Sequence, residues 1–271
     1  MQNETDTRQL ARKLRANAVR MTHKARASHI GSCLSSADLL AVLYGAIMRI
    51  DPKRPSWPDR DRFLLSKGHA GAIVYAALAE MGFFPRDWLD RYCEDGSPLA
   101  GHISHHNVPG VEASTGSLGH GLSIGCGMAL AARADQKDYR VFVLLSDGEC
   151  DEGSVWEAVL FAGHHRLSNL TAIVDYNGIQ SLGYVKDVLD LNPFGEKWRS
   201  FGWQVAEIDG HDHDAIARTL SSASSTAPRV IIARTIKGKG VSFMEDQLAW
   251  HYKSVSDQQL ASALREIETA E

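Results

Sequence analysis

The chain has 271 residues, of which 44% are hydrophobic and 23% are charged, and its formal net charge is −4. This composition is ordinary for a soluble globular protein, and the negative charge argues against a nucleic acid or a membrane surface as a partner. No apolar segment approaches the roughly 20 residues of a membrane span, and the N-terminus lacks the apolar core of a signal peptide.

The cysteines show no close pairing, which predicts reduced thiols in a cytoplasmic protein and neither a disulfide framework nor a zinc site. They are Cys33, Cys93, Cys126 and Cys150. Because composition does not change abruptly along the chain, we expect a single domain over residues 1–271.

The N-terminal quarter is predicted to be helical. Hydrophobic periodicity indicates an amphipathic helix over residues 5–24, and small residues then predict a loop over 27–32. A second helix is expected near Ser35, where Ser35 and Asp38 fit a capping pattern. Three prolines predict a loop over residues 51–61.

Short apolar runs that alternate with helices make up the rest of the chain. Strands are predicted at 62–66, 141–145, 170–174, 204–208 and 230–235, and helices up to 81 and at 118–134, 154–166, 212–222 and 257–268. Ser256 and Gln259 form a capping box for the last helix. Residues 84–119 are expected to be mostly irregular, and 178–200 to form a long, partly ordered connection over the site. This alternation indicates an α/β fold with a doubly wound, mostly parallel sheet flanked by helices.

Polar residues follow two of these strands. Asp147 and Asn177 are about one β-α-β unit apart, so they are predicted to face each other in the crevice at the carboxyl ends of adjacent strands. Their oxygens, with a free backbone carbonyl, are hard ligands that suit Mg²⁺. Gly148 allows a phosphate to approach the backbone, and the following helix would point its N-terminal amides at the anion.

At these residues the chain resembles the thiamine-diphosphate signature, Gly-Asp-Gly followed by Asn, except that Ser146 replaces the first glycine. The resemblance implies that Asp147, Asn177 and the main chain of Ile179 bind Mg²⁺, for which Ca²⁺ or Mn²⁺ could substitute. That ion would hold the diphosphate of the cofactor, thiamine diphosphate. Residues Gly148 and Glu149 would also contact the cofactor. From the residues alone, a Rossmann-like strand end with ordinary Asp and Asn-Gly turns is the alternative.

Four histidines fall in loops or at predicted strand ends, namely His29, His69, His102 and His251. Such histidines can bind phosphate or hydroxyl oxygens and can transfer protons near neutral pH. For any one of them alone, a solvated side chain without a role is the alternative. The neighbouring pair at 105 and 106 has no such context, and we assign it no function.

Three further segments resemble transketolases. Residues 27–32 are similar to the Ser-Gly-His-Pro-Gly box of that family, residues 61–69 to its second histidine box, and residues 110–121 to its Gly-Val-Glu-x-Thr-Thr-Gly-Pro-Leu-Gly-Gln-Gly segment. Together with the signature, the boxes occur in family order and cover residues 10–253. The chain is therefore identified as a member of the transketolase family, as its N-terminal, thiamine-diphosphate-binding part. Ile30 and Ser117 replace family prolines, and Tyr252 replaces a family glycine.

The resemblance also implies roles for side chains. His29 and His102 would contact the hydroxyls of the donor sugar, and His69 would contact the diphosphate or thiazolium. His251 aligns loosely with a histidine near the diphosphate and the substrate. The aminopyrimidine and thiazole rings would be lined by Gly116, Ser117 and Leu118. Glu152 and Glu157 match glutamates near the family's dimer interface, with exposed helix-start carboxylates as the alternative.

In this family, a glutamate from a second, pyrimidine-binding domain activates the cofactor, and we find no remaining segment long enough to hold that domain. The resemblance therefore implies the N-terminal subunit of a split transketolase, active only with a separate C-terminal subunit that carries the pyrimidine-binding domain. It would transfer a two-carbon ketol unit from a ketose, or ketose phosphate, to an aldose, or aldose phosphate. Self-association into a heterotetramer is the family-like expectation.

Three other functions are the alternatives to this one. They are a deoxyxylulose-phosphate synthase-like component, a 2-oxo acid dehydrogenase-like component and a non-catalytic binding subunit. A dinucleotide fingerprint over Gly119, Gly121 and Gly125 is disfavoured, because no strand is predicted before it and the spacing is off by one.

Overall fold

A computed structural model of the chain describes residues 5–222 and 226–269. Its centre is a parallel five-stranded sheet in the order β1-β2-β3-β5-β4. The strands are β1 (Arg62–Leu65), β2 (Val141–Ser146), β3 (Leu170–Tyr176), β4 (Gln204–Asp209) and β5 (Arg229–Arg234). The predicted α/β fold with a parallel sheet flanked by helices is confirmed.

Ten α-helices surround this sheet in the described parts of the chain. They are α1 (Thr7–Lys24), α2 (Ile30–Ser35), α3 (Ala37–Val42), α4 (Gly71–Met81), α5 (Gly121–Ala134), α6 (Gly153–His164), α7 (Val185–Val188), α8 (Phe194–Ser200), α9 (His213–Ser221) and α10 (Asp257–Thr269). Short segments of other helix types occur at Leu43–Ile47, Gly68–Ala70, Arg86–Arg91, Gly148–Asp151 and Leu248–His251.

Successive residues of the strands feed two separate hydrophobic cores. On one face of the sheet, Phe142 and Leu144 of β2 pack with residues of α1 to α4, α9 and α10. On the other face, Val141, Val143 and Leu145 pack with residues of α5, α6 and α8. This alternation follows from the two-residue repeat of a strand, and it explains why a strand covered on both faces is apolar throughout.

The prediction for residues 27–47 is partly wrong. Residues 30–32 belong to α2 and not to a loop, and the helix that follows is divided into α2, α3 and a π-helical turn. Ser35 does not cap it. Its hydroxyl donates to the Asp175 carboxylate at 2.6 Å, while Asp38 binds Arg15, because tertiary partners compete successfully for both side chains.

Other boundaries move by a few residues. β3 runs on through Asp175 and Tyr176. α5 begins at Gly121, and just before it Gly119 N donates to the Glu149 carboxylate. The capping box of α10 is confirmed, since Gln259 N donates to Ser256 Oγ and Ser256 N to Gln259 Oε1. All four cysteines are free thiols. Within the described residues, no helix is both long and apolar enough to cross a membrane.

Close packing of α6 predicts a large effect of one added methyl group. A Cβ at Gly163 would lie 1.9 Å from the carbonyl oxygen of Phe201, whereas a Cβ at Gly127 of α5 would meet nothing within 4 Å. We expect Gly163→Ala to lower the free energy of unfolding by about 2 kcal/mol or more. The control, Gly127→Ala, should raise it by about 0.5–1 kcal/mol through helix propensity. Urea denaturation of the isolated chain measures both, and equal effects would contradict this account of the packing.

Candidate active site

A cavity of about 220 Å³ opens at the carboxyl edge of the sheet. Segments that follow four of the strands line it: His69 after β1, Asp147 after β2, Asn177 after β3 and Lys237 after β5. In an open parallel sheet, this edge is where ligands bind. The structure therefore brings together residues that lie far apart in the sequence.

Oxygen atoms from the segments that follow β2 and β3 line one wall of this cavity. Asp147 Oδ1 accepts a hydrogen bond from Gly148 N at 2.7 Å, and Oδ2 accepts one from Gly178 N at 2.6 Å. Beside it, Asn177 Oδ1 accepts from Ile179 N at 3.2 Å. Each oxygen keeps further acceptor capacity, so the carboxylate, the amide and the Ile179 carbonyl form a donor set that suits a hard divalent cation.

Electrostatics also favour a cation at this wall. Burial, together with the neighbouring Asp175 carboxylate, raises the pKa of Asp147 to about 6. A positive ion would offset both effects and stabilise the ionised form. At Gly148, a Cβ would lie only 2.6 Å from Gln180 Cβ, so the chain approaches itself closely here. These residues fit a metal-bound diphosphate.

The segment after β2 is a 3₁₀ turn over Gly148–Asp151, and α6 begins at Gly153, one residue before its predicted start. The first turn of α6 is not among the segments that line the cavity. The turn itself presents the backbone of Gly148 to the cavity.

Lys237 is a cavity-lining residue that the sequence analysis missed. Its side chain is only 1% exposed, and its Nζ donates to the Ile179 carbonyl at 2.9 Å and lies 3.0 Å from His251 Nδ1. Burial lowers the pKa of Lys237 to about 8. The detectable signal was the segment Lys237-Gly238-Lys239-Gly240, a lysine within a glycine-rich loop directly after a strand.

The four candidate histidines converge on this cavity. The ring centroid of His29 lies 5.2 Å from that of His69, 5.8 Å from His102 and 5.1 Å from His251. His29 has a positive φ of 72° and donates its backbone N–H to the His251 carbonyl at 2.9 Å. Positive φ is uncommon for a residue with a Cβ, and such backbone strain is concentrated at functional sites.

Burial governs the charge state of these rings. Burial, then His102 and Lys237, lowers the pKa of His29 to about 4, and burial with Lys237 lowers that of His251 to about 3. The pKa of His69 also falls well below its usual value, chiefly through burial. Near neutral pH these three rings are therefore neutral imidazoles, each able to donate and to accept one hydrogen bond.

A buried ion pair supports the floor of the cavity. Lys67 and Asp175 are fully buried, and Lys67 Nζ lies 2.5 Å from Asp175 Oδ2. Burial opposes ionisation of Asp175, but Lys67, Ser35 and Thr235 outweigh it and keep the pKa of the carboxyl low. Asp175 lies within β3, one residue beyond the predicted end of that strand at 174.

The remaining candidates differ in their surroundings. Gly116 and Leu118 line the cavity, whereas Ser117 between them is exposed and is not among its lining residues. Glu149 lines the cavity, but its carboxylate accepts hydrogen bonds from Ser66 Oγ, Gly119 N and Ser146 N. The contacts predicted between these residues and a cofactor stay predictions. Outside the cavity, His105 and His106 are exposed, as are Glu152 and Glu157.

Comparison with known proteins agrees with this geometry. A family model described as the thiamine diphosphate binding domain of transketolase matches residues 6–268. The chain is 41% identical over 269 residues to the 6-deoxy-6-sulfo-D-fructose transketolase subunit SqwG of a Clostridium species, with 98% of each chain covered. It is 43% identical over 257 residues to an apulose-4-phosphate transketolase subunit of Phocaeicola vulgatus, covering 94% of this chain and 91% of the relative.

Solved structures give the same result. The crystal structure of transketolase from Campylobacter jejuni matches with a TM-score of 0.91 and 32% identity, over 97% of this chain. The match covers 42% of that transketolase, so this chain spans about two-fifths of its length. A model match over nearly the whole chain, relatives above 40% identity and a shared fold agree with one another. The chain belongs to the transketolase family, as a thiamine diphosphate binding domain.

Proposed function

We propose that this chain is the N-terminal subunit of a split transketolase, which transfers a two-carbon ketol unit from a ketose to an aldose. One observation carries the proposal: the oxygen-donor wall of Asp147, Asn177 and Ile179 and the four-histidine group line a single cavity. The first suits a metal-bound diphosphate, and the second suits a polyhydroxylated substrate. The names of two relatives, which specify transketolase subunits for a sulfonated and a phosphorylated sugar, support the same interpretation.

Each of the cavity residues has a separate role in this proposal. Asp147, Asn177 and the Ile179 carbonyl would hold Mg²⁺, and Lys237 adds a positive charge beside the Ile179 carbonyl. Thiamine diphosphate, when bound, supplies the carbanion chemistry. His29 and His102 orient the hydroxyls of the donor sugar. The neutral rings of His69 and His251 donate and accept hydrogen bonds with the cofactor or the substrate without adding charge. Asp147, Asn177 and Lys237 are buried, which strengthens their electrostatic interactions.

A partner chain is part of the proposal. Among the cavity-lining residues of the described chain, the carboxylates belong to Asp147 and Glu149. Asp147 serves the metal, and Glu149 is occupied by Ser66, Gly119 and Ser146. We infer that the carboxylate that activates the aminopyrimidine comes from a separate chain with the pyrimidine-binding domain. The word "subunit" in the relatives' names fits such an assembly.

The reaction class is tested on the assembled complex with thiamine diphosphate and Mg²⁺. One assay follows transfer from a phosphorylated or sulfonated ketose to an aldose, and a second follows decarboxylation of pyruvate. We expect ketol transfer and no pyruvate decarboxylation. Pyruvate decarboxylation without ketol transfer would support a synthase-like or dehydrogenase-like function. The absence of both activities, with no cofactor bound, would support a non-catalytic role.

Removal of the His29 ring should lower catalytic efficiency with the substrate and leave cofactor binding almost unchanged. We expect His29→Ala to lower kcat/KM for the ketose by about tenfold or more, while the affinity for thiamine diphosphate changes by less than about twofold. His29→Asn serves as a second variant, because asparagine tolerates positive φ. The matched control is His105→Ala, since His105 is exposed and bonds Ser114 away from the cavity. An unchanged kcat/KM in both His29 variants would refute the substrate assignment.

A further inference from the structure

A buried carboxylate that is not part of the cavity lining binds three basic side chains. Asp38 of α3 accepts from Arg15 Nη1 at 2.9 Å and Nη2 at 2.6 Å, and it lies 2.6 Å from His211 Nδ1 and 3.1 Å from His213 Nε2. Asp38 is only 5% exposed. We name Asp38, Arg15, His211 and His213 the Asp38 cluster. It joins α1, α3 and the start of α9, none of which contributes a side chain to the oxygen-donor wall.

Two members of the cluster also bind the loop of residues 236–240, here named the lysine loop. His211 Nε2 accepts from the backbone N–H of Ile236 at 2.9 Å, and Arg15 Nε donates to the Lys239 carbonyl at 3.0 Å. These two contacts lie on either side of Lys237 in the sequence. The cluster therefore holds the backbone both before and after the lysine that enters the cavity.

The hydrogen bonds of His211 fix its state. A ring nitrogen that accepts from a backbone N–H carries no proton, so Nδ1 bears the proton and donates it to Asp38. His211 is thus a neutral side chain that bonds to both the Asp38 carboxylate and the backbone of the lysine loop. His213 differs: its ring bonds Asp38 on one side and Thr7 Oγ1, at 2.8 Å, on the other.

The position of Lys237 depends on its backbone. Its side chain is buried, with Nζ fixed between the Ile179 carbonyl and His251 Nδ1. The lysine loop is also bonded from Gly238 N to the Gly31 carbonyl at 3.0 Å. Gly238 and Gly240 both have positive φ, so this backbone follows a course that other residues would not adopt unaided. Loss of an anchor would let the ammonium shift relative to the cavity.

We propose that Asp38, Arg15 and His211 form a positioning unit that fixes the lysine loop and thereby places the Lys237 ammonium in the cavity. The inference rests on the proposed function in one respect, because the affinity for thiamine diphosphate is used to measure the position of the Lys237 ammonium. None of the three residues is among those that line the cavity. They act through Lys237.

A pair of variants separates positioning from general stability. His211→Asn keeps an amide donor near the position of Nδ1 but removes the acceptor for Ile236 N–H, whereas His213→Asn removes one bond to Asp38 and leaves the lysine loop bonded. Both should lower the melting temperature to a similar extent. His211→Gln, whose carbonyl can accept from Ile236 N–H, serves as the rescue variant.

The first readout needs no cofactor. In the full chain, an amine-acetylating reagent labels lysines, and mass spectrometry measures the rate at Lys237, while hydrogen exchange reports on the Ile236 amide. We expect both rates to rise by about fivefold or more in His211→Asn and to stay within about twofold of the original chain in His213→Asn. Equal rates in the two variants would overturn the proposal.

The second readout is the affinity of the assembled complex for thiamine diphosphate in Mg²⁺, measured by calorimetry. We expect His211→Asn to weaken it by about tenfold, His213→Asn by less than about twofold, and His211→Gln to recover most of the loss. Equal affinities in His211→Asn and His213→Asn would also overturn the proposal. If the original complex binds no thiamine diphosphate but the Lys237 labelling contrast holds, the proposed function fails and the positioning unit stands.

Discussion

Replacement of Asp147 by alanine is expected to abolish Mg²⁺-dependent binding of thiamine diphosphate by the assembled enzyme. The carboxylate is buried, and it is the charged member of the proposed donor set. Its removal leaves the Asn177 amide and the Ile179 carbonyl, two neutral oxygens, to hold a dication with the charge of a diphosphate beside it. We expect a loss of affinity of at least about 100-fold by calorimetry.

Two further variants show whether the loss of affinity comes from the loss of the Asp147 charge. Asp147→Ala leaves the N–H groups of Gly148 and Gly178 without their acceptors. Asp147→Asn is therefore needed as well, because it removes the charge but retains an oxygen acceptor for one of these two N–H groups. The matched control is Asp151→Asn in the same turn, which can still accept from Gln180 Nε2. We expect a large loss in both Asp147 variants and a change of less than about twofold in the control. Retained Mg²⁺-dependent binding in Asp147→Ala would contradict the assignment of the metal site.

The second large effect concerns the partner. With thiamine diphosphate and Mg²⁺ at saturation, the purified chain alone should show no measurable ketol transfer, and addition of the subunit with the pyrimidine-binding domain should restore it. The proposed mechanism gives the reason. In the described parts of the chain, the carboxylates that line the cavity are Asp147, which is assigned to the metal, and Glu149, which is bonded to Ser66, so we expect the group that activates the aminopyrimidine to come from the other subunit. A coupled assay of aldose formation, with the subunits titrated against each other, measures the effect.

A reconstituted complex that carries Asp147→Ala provides the control, because its inactivity would show that turnover arises in the cavity of this chain. Robust ketol transfer by the chain alone would contradict the proposal of a split enzyme. A complex that forms, binds cofactor and stays inactive with every ketose tested would instead point to a different reaction class.

The parts of this structure that follow from local pattern could be predicted from the sequence. Strands β2 and β3 are apolar on both faces, so their existence and parallel pairing follow from burial, and the ends of adjacent parallel strands must meet. The neighbourhood of Asp147 and Asn177 was predictable for that reason. The gathering of His29, His69, His102 and His251 was expected only through the family resemblance, because loops do not reveal their course.

The features that the sequence analysis did not predict depend on tertiary partners. Lys237 looks like an ordinary loop lysine until the fold places its ammonium on the Ile179 carbonyl. Asp38 and Ser35 matched a capping pattern, but a buried arginine and a buried aspartate offer them stronger partners than a helix end does. Glu149 lies beside the signature, yet its carboxylate secures two backbone segments. No spacing rule encodes such choices, because each depends on which elements pack together.

The most direct test of the account is a crystal structure of the assembled complex with thiamine diphosphate and Mn²⁺, with anomalous scattering recorded from the metal. The account predicts one strong anomalous peak at the carboxyl edge of the sheet, within coordinating distance of Asp147, of the Asn177 side-chain oxygen and of the Ile179 carbonyl, with the diphosphate as a further ligand. A bound cofactor without a peak there, or with the metal held by other residues, would contradict it.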